Sequence, residues 1–468
     1  MWVIAFAVLC AAIAGCGGSG QFGSQTGSNG SSSVVLAMTD SPPTLVSVLS
    51  AQVTLTGATL APGNVNLFSG SATVDLARLQ TDIAYLATAS NLSAGNFTSV
   101  MLTFANPKLT IENDTGTTLA GCPSVTICTV TPTASPLSAT VPLTSFSIPA
   151  SGATGLLIDV SLDNLLSASL AEDFSAGTTV TPFTPAGTNA PAVGAEDVVG
   201  QIGSLNASAK TFTLTNATGT YSLKADNTST FFQFPIAGSC TSQSFACLQN
   251  SQIASVDMSI QSDGTLQART VVFEDADSSE AEIEGQITST NAGLQQFSIV
   301  IQSMSAPVSG LSIGQSIPVQ YPSPQPSQFF DVDLVHADNQ AVSTSGFLFA
   351  APADLAVGQQ ISLRRNSTST ASLLKADHVR LRSTRVTANV QTGLPLIFLS
   401  PPPSLFSGHG VSGITAQVSV TPPTIYYEIG HAINSSNVVI GEVVSARGPL
   451  FIVGGGRTLV VSKIVVKP

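Results

Sequence analysis

Charge and aromatic rings are scarce in this sequence. Only 9% of the 468 residues are charged, one is tryptophan and five are tyrosine. The 15 basic residues are outnumbered by 27 acidic ones, which argues against a nucleic acid partner because such proteins carry a basic stripe. The shortage of rings also weakens a glycan-binding prediction, for which Tyr426 and Tyr427 remain the available stacking surfaces.

Long apolar runs are equally rare, and the one at Trp2–Gly15 carries no charge. It is shorter than the roughly 20 residues that a bilayer-spanning helix needs. An apolar core of this size, followed by small residues, is typical of a secretory signal peptide. No lysine or arginine precedes the run, which departs from the signal-peptide pattern and predicts a start codon further upstream.

The residues Ile13-Ala14-Gly15-Cys16 resemble the bacterial lipobox. The resemblance implies that residues 1–15 are removed and that Cys16 receives a diacylglycerol, which would anchor the chain in a membrane. Gly17 stands where an aspartate would imply retention in the inner membrane, so the resemblance favours the outer membrane, facing the periplasm or the cell surface.

The composition after Cys16 predicts a tether and then an all-β chain. Residues 16–33 are rich in glycine and serine, as in a flexible spacer. Beyond them, short β-branched runs alternate with Gly, Pro, Asn and Ser clusters, which is typical of strands and turns. The alternation of Ile158, Val160 and Leu162 with polar neighbours fits a half-buried strand. We therefore predict a β-sandwich over residues 34–185.

Five short motifs follow one another in this region. They are T-D-x-P, V-x-L-T-G, V-D-L-A-R-L, L-x-A-G-x-[FY] and L-x-I-D-V. In this order they resemble a bacterial lipoprotein family catalogued as domain of unknown function family 4382. The resemblance implies a β-sandwich fold and brings no activity with it.

A repeat follows the linker at residues 186–196. VVGQIGSL at 198–205 is echoed by IEGQITST at 283–290, and GTLQARTVVFED, FFDVDLVHAD and ASLLKADHVRLR are read as the ends of successive copies. The copies resemble domain of unknown function family 5666. We expect small OB-like or SH3-like β-barrels extending beyond the sandwich. The predicted units are 197–276, 282–340, 343–390 and a divergent fourth, 391–468.

The six cysteines separate by position. Cys10 lies in the predicted signal peptide, whereas Cys122 and Cys128 bracket PSVTI, and Cys240 and Cys247 bracket TSQSFA. In an exported protein such local pairs predict two disulfides. A four-cysteine metal site is the alternative, although its paired cysteines are usually closer together.

Catalytic motifs are weak throughout. Ser312 lies in GLSIG, which fits the G-x-S-x-G pattern but is followed by a strand and a proline break rather than a helix. A carboxylate pair for glycoside hydrolysis would lie in the acidic run at 274–284 or be formed by Asp331 and Asp333. We predict no catalytic residue, no cofactor and no bound metal. The histidines, none in a close pair, are His336, His378, His409 and His431.

Charge is concentrated in two short regions. The acidic run EDADSSEAEIE at 274–284 is a weak calcium candidate, or a solvated linker. A group of six basic residues lies between residues 364 and 385. Three interpretations of it remain open: it binds an anionic glycan or lipid head group, it forms an exposed face, or it pairs with the acidic run of a neighbouring unit. The calcium candidates are Glu274, Asp275, Asp277 and Glu280. The basic residues are Arg364, Arg365, Lys375, Arg380, Arg382 and Arg385.

Together these features predict a lipid-anchored envelope protein that binds or scaffolds without catalysis. Its partners would be the membrane, through the N-terminal lipid, and a glycan or an envelope protein. Two alternatives remain open: an exported hydrolase of carbohydrates or esters whose site converges from loops, and an envelope-assembly or stress-sensing lipoprotein.

Overall fold

Strands dominate the computed structural model of this chain, which confirms the all-β prediction. No helix within the described residues is long and apolar enough to cross a membrane. The described residues are 21–22, 32–41, 47–185, 194–235, 240–276, 280–333, 336–337, 340–419, 424–428 and 431–467. The helices are α1 (Leu162–Leu165), α2 (Phe174–Gly177), α3 (Ser404–Ser407) and the 3-10 turns Leu76–Arg78, Phe245–Cys247, Ala292–Leu294, Pro352–Asp354 and Ser435–Asn437.

The first unit is a β-sandwich of two sheets. A short strand, β1 (Gln21–Phe22), precedes this unit in the sequence and is not part of its sheets. The strands of the sandwich are β2 (Ser32–Ser41), β3 (Ser47–Ala61), β4 (Val65–Asp75), β5 (Ala84–Leu92), β6 (Gly95–Glu112), β7 (Ile127–Val130), β8 (Ser138–Ile148), β9 (Gly152–Ser161) and β10 (Thr178–Phe183). One sheet has the order β10-β9-β2-β5, and the other the order β4-β3-β6-β7 with β8 on β6. As the alternation predicted, Ile158 and Val160 of β9 are buried. Leu162 is buried too, but it begins helix α1 because β9 ends at Ser161.

The second unit, the first barrel, is a closed five-stranded sheet. Its five strands are β11 (Gly194–Asn206), β12 (Thr211–Thr215), β13 (Thr220–Lys224), β15 (Ile253–Ile260) and β16 (Leu266–Asp275), and a short additional strand, β14 (Phe231–Gln233), lies between β13 and β15 in the sequence. Pairing runs β11-β12-β13-β16-β15 and returns to β11, with β13 and β16 parallel. This is a Greek-key barrel of the OB kind, and β14 adds to β16 in parallel.

The third unit, the second barrel, repeats that strand order. Its strands are β17 (Glu282–Asn291), β18 (Gln296–Met304), β19 (Ser316–Gln320), β20 (Phe330–Val332), β21 (His336–Ala337), β22 (Gln340–Ala341), β23 (Gln360–Arg365) and β24 (Leu374–Leu381). Pairing runs β17-β18-β19-β24-β23 and returns to β17, and β20 lies parallel to β24.

The fourth unit, the third barrel, has the same order. Its strands are β25 (Ser383–Asn389), β26 (Leu396–Leu399), β27 (Ile414–Val418), β28 (Ile425–Glu428), β29 (His431–Ala432), β30 (Val443–Val453), β31 (Gly456–Val461) and β32 (Lys463–Val466). A bridge between Val390 and Leu399 joins β25 to β26, and pairing continues β26-β27-β31-β30-β25. β32 follows β31 directly after Ser462 and pairs in parallel with β28.

The Gly-Gln-Ile repeat marks the first strand of the first two barrels. A side chain on Gly200 of β11 would place its Cβ 2.8 Å from the Thr215 carbonyl oxygen. At Gly285 of β17 the Cβ would lie 2.5 Å from the Val300 carbonyl oxygen. The repeat therefore records one backbone crowding point that both barrels share.

Two of the predicted repeat units are corrected by the strand pairing. Segments 282–340 and 343–390 were expected to be separate barrels, but β17 of the first pairs with β23 of the second, so most of both belong to one barrel. The misassignment came from FFDVDL, which resembles a final strand. Its Phe330–Val332 pairs in parallel with β24, as Phe231–Gln233 of the first barrel does with β16. The third barrel then begins at Ser383 rather than at residue 391.

The four units form one cluster in which every pair is in contact, rather than barrels that extend beyond the sandwich. The sandwich contacts each barrel, and each barrel contacts the other two. The contacts include Thr88 Oγ1 to Gly264 O (2.9 Å), Gln302 Nε2 to Leu49 O (2.8 Å), Arg385 to Asp82, Arg382 to Glu274, Arg447 to Glu196, and Gln359 Nε2 to Leu450 O (2.9 Å).

Candidate functional site

Charged side chains from all four units meet where the units join. We call this set the ionic junction. The members are Arg78 and Asp82 of the sandwich, Glu196, Asp197 and Glu274 of the first barrel, Glu284, Asp333, Arg380 and Arg382 of the second, and Arg385, Arg447 and Lys463 of the third.

Arg382, just after β24, is the centre of one half of the junction. Its side chain is 1% exposed. Nη1 lies 2.7 Å from both Glu274 Oε1 and Asp333 Oδ2, and Nη2 lies 3.2 Å from Glu284 Oε1. Burial disfavours the charge on Arg382, but Asp333 and Glu274 outweigh it and raise its pKa. The guanidinium therefore stays charged and ties the first barrel to the second.

Arg380, two residues earlier, extends this contact towards solvent. β20 and β24 are in parallel register with Asp331 opposite Arg380, and the Nε of Arg380 is 3.1 Å from Asp331 Oδ1. The same arginine also contacts Glu274 of the first barrel. His378 Nε2 lies 3.2 Å from Asp331 Oδ1. Burial opposes ionisation of Asp331, but His378 and Arg380 outweigh it and lower its pKa.

The other half of the junction joins the third barrel to the sandwich and the first barrel. Arg447 contacts both Glu196 and Asp197. Lys463 Nζ lies 3.3 Å from Asp82 Oδ1 and 3.3 Å from Glu196 Oε1. Burial opposes ionisation of Asp197, yet Arg447 outweighs it and lowers the pKa of Asp197 to about 2.

Arg78 and Arg385 connect the sandwich to this network. Arg385 Nε lies 2.9 Å from Asp82 Oδ2. Arg78 Nη2 lies 2.9 Å from Glu284 Oε2 in the second barrel. A buried pair adds little net stability compared with apolar packing, but removing one partner leaves an uncompensated charge and costs about 3–5 kcal/mol. The junction therefore fixes which surfaces meet more than it raises overall stability.

A cavity of about 100 Å³ lies beside the junction, lined by residues such as Arg78, Asp82, Glu196, Tyr221 and Arg385. Pockets for drug-sized ligands measure roughly 300–1,000 Å³. A buried water needs about 10–15 Å³ of cavity volume, so this cavity has room for a cluster of roughly seven to ten waters.

The acidic run meets the basic group, as one of the open alternatives predicted. Glu274 contacts Arg380 and Arg382, while Arg364 lies 3.2 Å from Asp275 and 3.6 Å from Glu280. These carboxylates are thus neutralised by arginines, which does not favour calcium. Asp277 lies outside the described residues. Across the part of the chain that the structure describes, no group of three or more His, Cys, Asp or Glu is placed to hold a metal ion.

The two carboxylates weighed for glycoside hydrolysis, Asp331 and Asp333, lie in different environments, and two of the four histidines pair with carboxylates. Burial raises the pKa of Asp333 to about 8 despite Arg382, and Asp331 has a lowered pKa, a contrast that acid–base pairs show. Asp333 is, however, only 7% exposed and pairs with Arg382. His409 Nε2 lies 3.1 Å from Glu112 Oε1. The side chains of His336 and His431 lie outside the described residues.

The GLSIG loop around Ser312 docks the second barrel on the sandwich. The Gly314 carbonyl accepts a hydrogen bond from Thr110 Oγ1 at 2.6 Å, and the Ile313 carbonyl accepts one from Gln52 Nε2 at 2.8 Å. Gly314 has φ +81°, and a Cβ there would lie 2.8 Å from Gln52 Nε2. The positive φ and the close packing therefore explain why residue 314 is a glycine. The next element after Ser312 is the strand β19, not the helix that a nucleophile elbow requires.

Both predicted disulfides are confirmed. Cys122 is bonded to Cys128 and Cys240 to Cys247, each closing a short loop. Cys16, the predicted lipidation site, lies outside the described residues.

Sequence reasoning missed the third-barrel half of the junction. Arg447 and Lys463 lie within the apolar stretches VVSARGPLFIV and SKIVV, and both are nearly fully buried. An isolated charge inside an apolar strand of a charge-poor chain is the signal that was available, because such a charge needs a buried partner.

Comparisons with known proteins add little. No protein-family model matches the chain, and no curated protein is significantly similar to it. One solved structure is described as a multidomain protein with nucleic acid binding domains from Streptococcus pneumoniae. It is 13% identical in sequence, covers 59% of this chain and 74% of its own, and has a TM-score of 0.12. A TM-score this low supports no conclusion about fold or function.

Proposed function

We propose that this chain is a lipid-anchored envelope protein that presents one rigid all-β body as a binding or scaffolding module, without catalysis. The observation that supports the proposal is the ionic junction. Charged groups that a hydrolytic site would expose to substrate are instead engaged by partners from neighbouring units, as Arg382 is by Glu274. Such an arrangement holds surface loops in fixed relative positions, which suits recognition of a glycan or an envelope protein.

Membrane attachment is tested by cell fractionation of full-length variants. Cys16→Ala should release the protein from the membrane fraction, because no thiol then accepts the lipid. Cys10→Ala is the matched control, since it removes a cysteine upstream of the lipobox, and it should leave the protein attached. Retention of the Cys16→Ala variant in the membrane would contradict the proposal.

The absence of catalysis is tested with the purified protein on a panel of ester and glycoside substrates. We expect no turnover above that of a heat-unfolded sample. Turnover that disappears in His378→Gln or Asp331→Asn would instead identify a hydrolase at the half-buried Asp331–His378 pair.

A further inference from the structure

Six of the twelve large apolar side chains that are exposed in the described part of the chain lie close together on the third barrel. They come from its first hairpin, which includes β26, and from the turn that leads into β30. Their exposed fractions range from 37% to 68%. We call this set the apolar patch. Its members are Leu394, Leu396, Phe398, Val439, Ile440 and Val443.

Backbone hydrogen bonds hold the two halves of the patch side by side. The N–H of Gln391 donates to the carbonyl oxygen of Phe398 at 2.8 Å, and the N–H of Gly441 donates to the carbonyl oxygen of Val390 at 2.9 Å. The segment at residues 390–391 therefore lies between the two halves as a single strand. Two strand spacings measure roughly 10 Å, so the large side chains on either side of this strand form one continuous surface.

The equivalent strand of the other two barrels has a polar outer face. β12, β18 and β26 occupy the same place in the strand order, and each directs large apolar side chains inwards, such as Ile397 and Leu399 of β26. The barrel fold thus does not require apolar residues on the outer face, and a patch exposed there marks a contact with a partner. The outward positions are Thr211, Thr213 and Thr215 in β12, Gln296 and Ser298 in β18, and Leu396 and Phe398 in β26.

The exposed area of the patch matches what a stable dimer needs. With about 150 Å² for each fully exposed large apolar side chain, the six leave roughly 430 Å² open to solvent. Two copies would bury roughly 850 Å² of apolar surface. Because about 57–65% of a dimer interface is apolar, the whole interface would measure roughly 1,300–1,500 Å². Stable interfaces bury about 1,200–2,000 Å².

We propose that a second copy of this chain covers the apolar patch, so that the protein is a two-fold dimer joined through its third barrels. An apolar surface is complementary to itself, as a two-fold contact requires. A lipid surface fits less well, because segments that lie on membranes are rich in lysine and arginine. Residues 389–400 and 434–443 contain one charged residue, the acidic Glu442. The inference goes beyond the proposed function and does not depend on the lipid at Cys16.

Sedimentation velocity of the full chain carrying Cys16→Ala tests the dimer without the proposed lipid. Adding Phe398→Ser with Ile440→Ser removes one large side chain from each half of the patch in both copies, so the dimer dissociation constant should rise at least 100-fold. Leu294→Ser with Leu348→Ser is the matched control: both leucines are exposed on the second barrel, and the constant should not change. A monomer at the highest soluble concentration, or equal effects of the two double variants, would overturn the inference.

Hydrogen exchange locates the interface without a substitution in the patch. When the Cys16→Ala protein is diluted from mostly dimer to mostly monomer, peptides that cover residues 389–400 and 434–443 should exchange several-fold faster. The turn at residues 292–294 of the second barrel should exchange at one rate throughout. Unchanged exchange of the patch peptides on dilution would place the contact elsewhere and overturn the inference.

Vesicles of phosphatidylethanolamine and phosphatidylglycerol test the competing occupant. Both double variants share the N-terminal residues of the Cys16→Ala protein, so any difference between them in vesicle binding reports on the patch. We expect equal binding. Binding that is lost only with Phe398→Ser and Ile440→Ser would assign the patch to a lipid surface and overturn the inference.

Discussion

Single charged residues matter more in this protein than their number suggests. Lysine and arginine are seldom fully buried in proteins unless paired, and here Arg382, Arg447 and Lys463 all are buried and paired. Each lies opposite carboxylates from a different unit. The consequence is that a single substitution at the junction acts on the contact between units.

Arg382→Met should lower the free energy of unfolding by about 3–5 kcal/mol, because Glu274, Asp333 and Glu284 would lose their shared partner while remaining buried. Urea unfolding followed by circular dichroism measures the change. Arg364→Met is the matched control: this arginine is 39% exposed and pairs with Asp275 and Glu280, so its loss should cost no more than about 1 kcal/mol. Similar small losses for both variants would contradict the role given to Arg382.

Because of the buried carboxyl group of Glu172, we expect the protein to become less stable as the pH rises from about 5 to 8. This sandwich residue is 4% exposed, and its Oε2 has no hydrogen-bond partner among the described atoms. Burial raises its pKa from 4.5 to about 7. The folded state favours the protonated form, so this contribution to stability is complete below about pH 4.5 and is lost as the pH rises through 7.

Wild-type protein should therefore lose about 3 kcal/mol of unfolding free energy between pH 5 and pH 8 through this group, and Glu172→Gln should remove that part of the loss. Denaturant unfolding at the two pH values measures it. The two proteins should have similar stability at pH 5, which serves as the internal control. Parallel pH profiles would show that Glu172 ionises at no cost.

At the scale of strands, the sequence predicted where several strands lie but not which distant strands pair. Alternation predicted the buried face of β9, and the Gly-Gln-Ile repeat correctly located β11 and β17. The division of 282–390 into two units was wrong, because an OB-like barrel pairs its first strand with its fourth, across about 75 residues in β17 and β23. Local patterns carry no information about such distant partners.

The candidate site was predictable only in part for the same reason. Pairing of the acidic run with Arg380 and Arg382 was one of the alternatives, since blocks of opposite charge attract. Asp82, Glu196 and Lys463 are far apart along the chain, and only the packing of the sandwich, the first barrel and the third barrel brings them together.

The loop at Gly314 should be sensitive to a single methyl group. Gly314→Ala should destabilise the protein by about 2–3 kcal/mol, from left-handed backbone strain and from collision with Gln52 and Thr110. Gly116→Ala is the control, because Gly116 has φ +75° with no atom within 4 Å of its Cβ position, so it reports the strain alone. Thermal unfolding compares the two. Equal effects would mean that the loop does not dock as described.

At the scale of the whole molecule, the sandwich and three barrels are joined pairwise by hydrogen bonds and buried ion pairs. The apolar core cluster that includes Leu55 and Val160 of the sandwich also contains Phe212 and Ile260 of the first barrel. Units that share both a core and an ionic junction should unfold together, unlike a string of independent domains.

Hydrogen exchange followed by mass spectrometry, at increasing urea, tests this central claim most directly. Peptides from the protected strands of all four units should exchange with one common midpoint, and the double variant Arg382→Met, Arg447→Met should separate the midpoints. Distinct midpoints for the sandwich and each barrel in the wild-type protein would contradict the account, because they would show that the units are stable on their own.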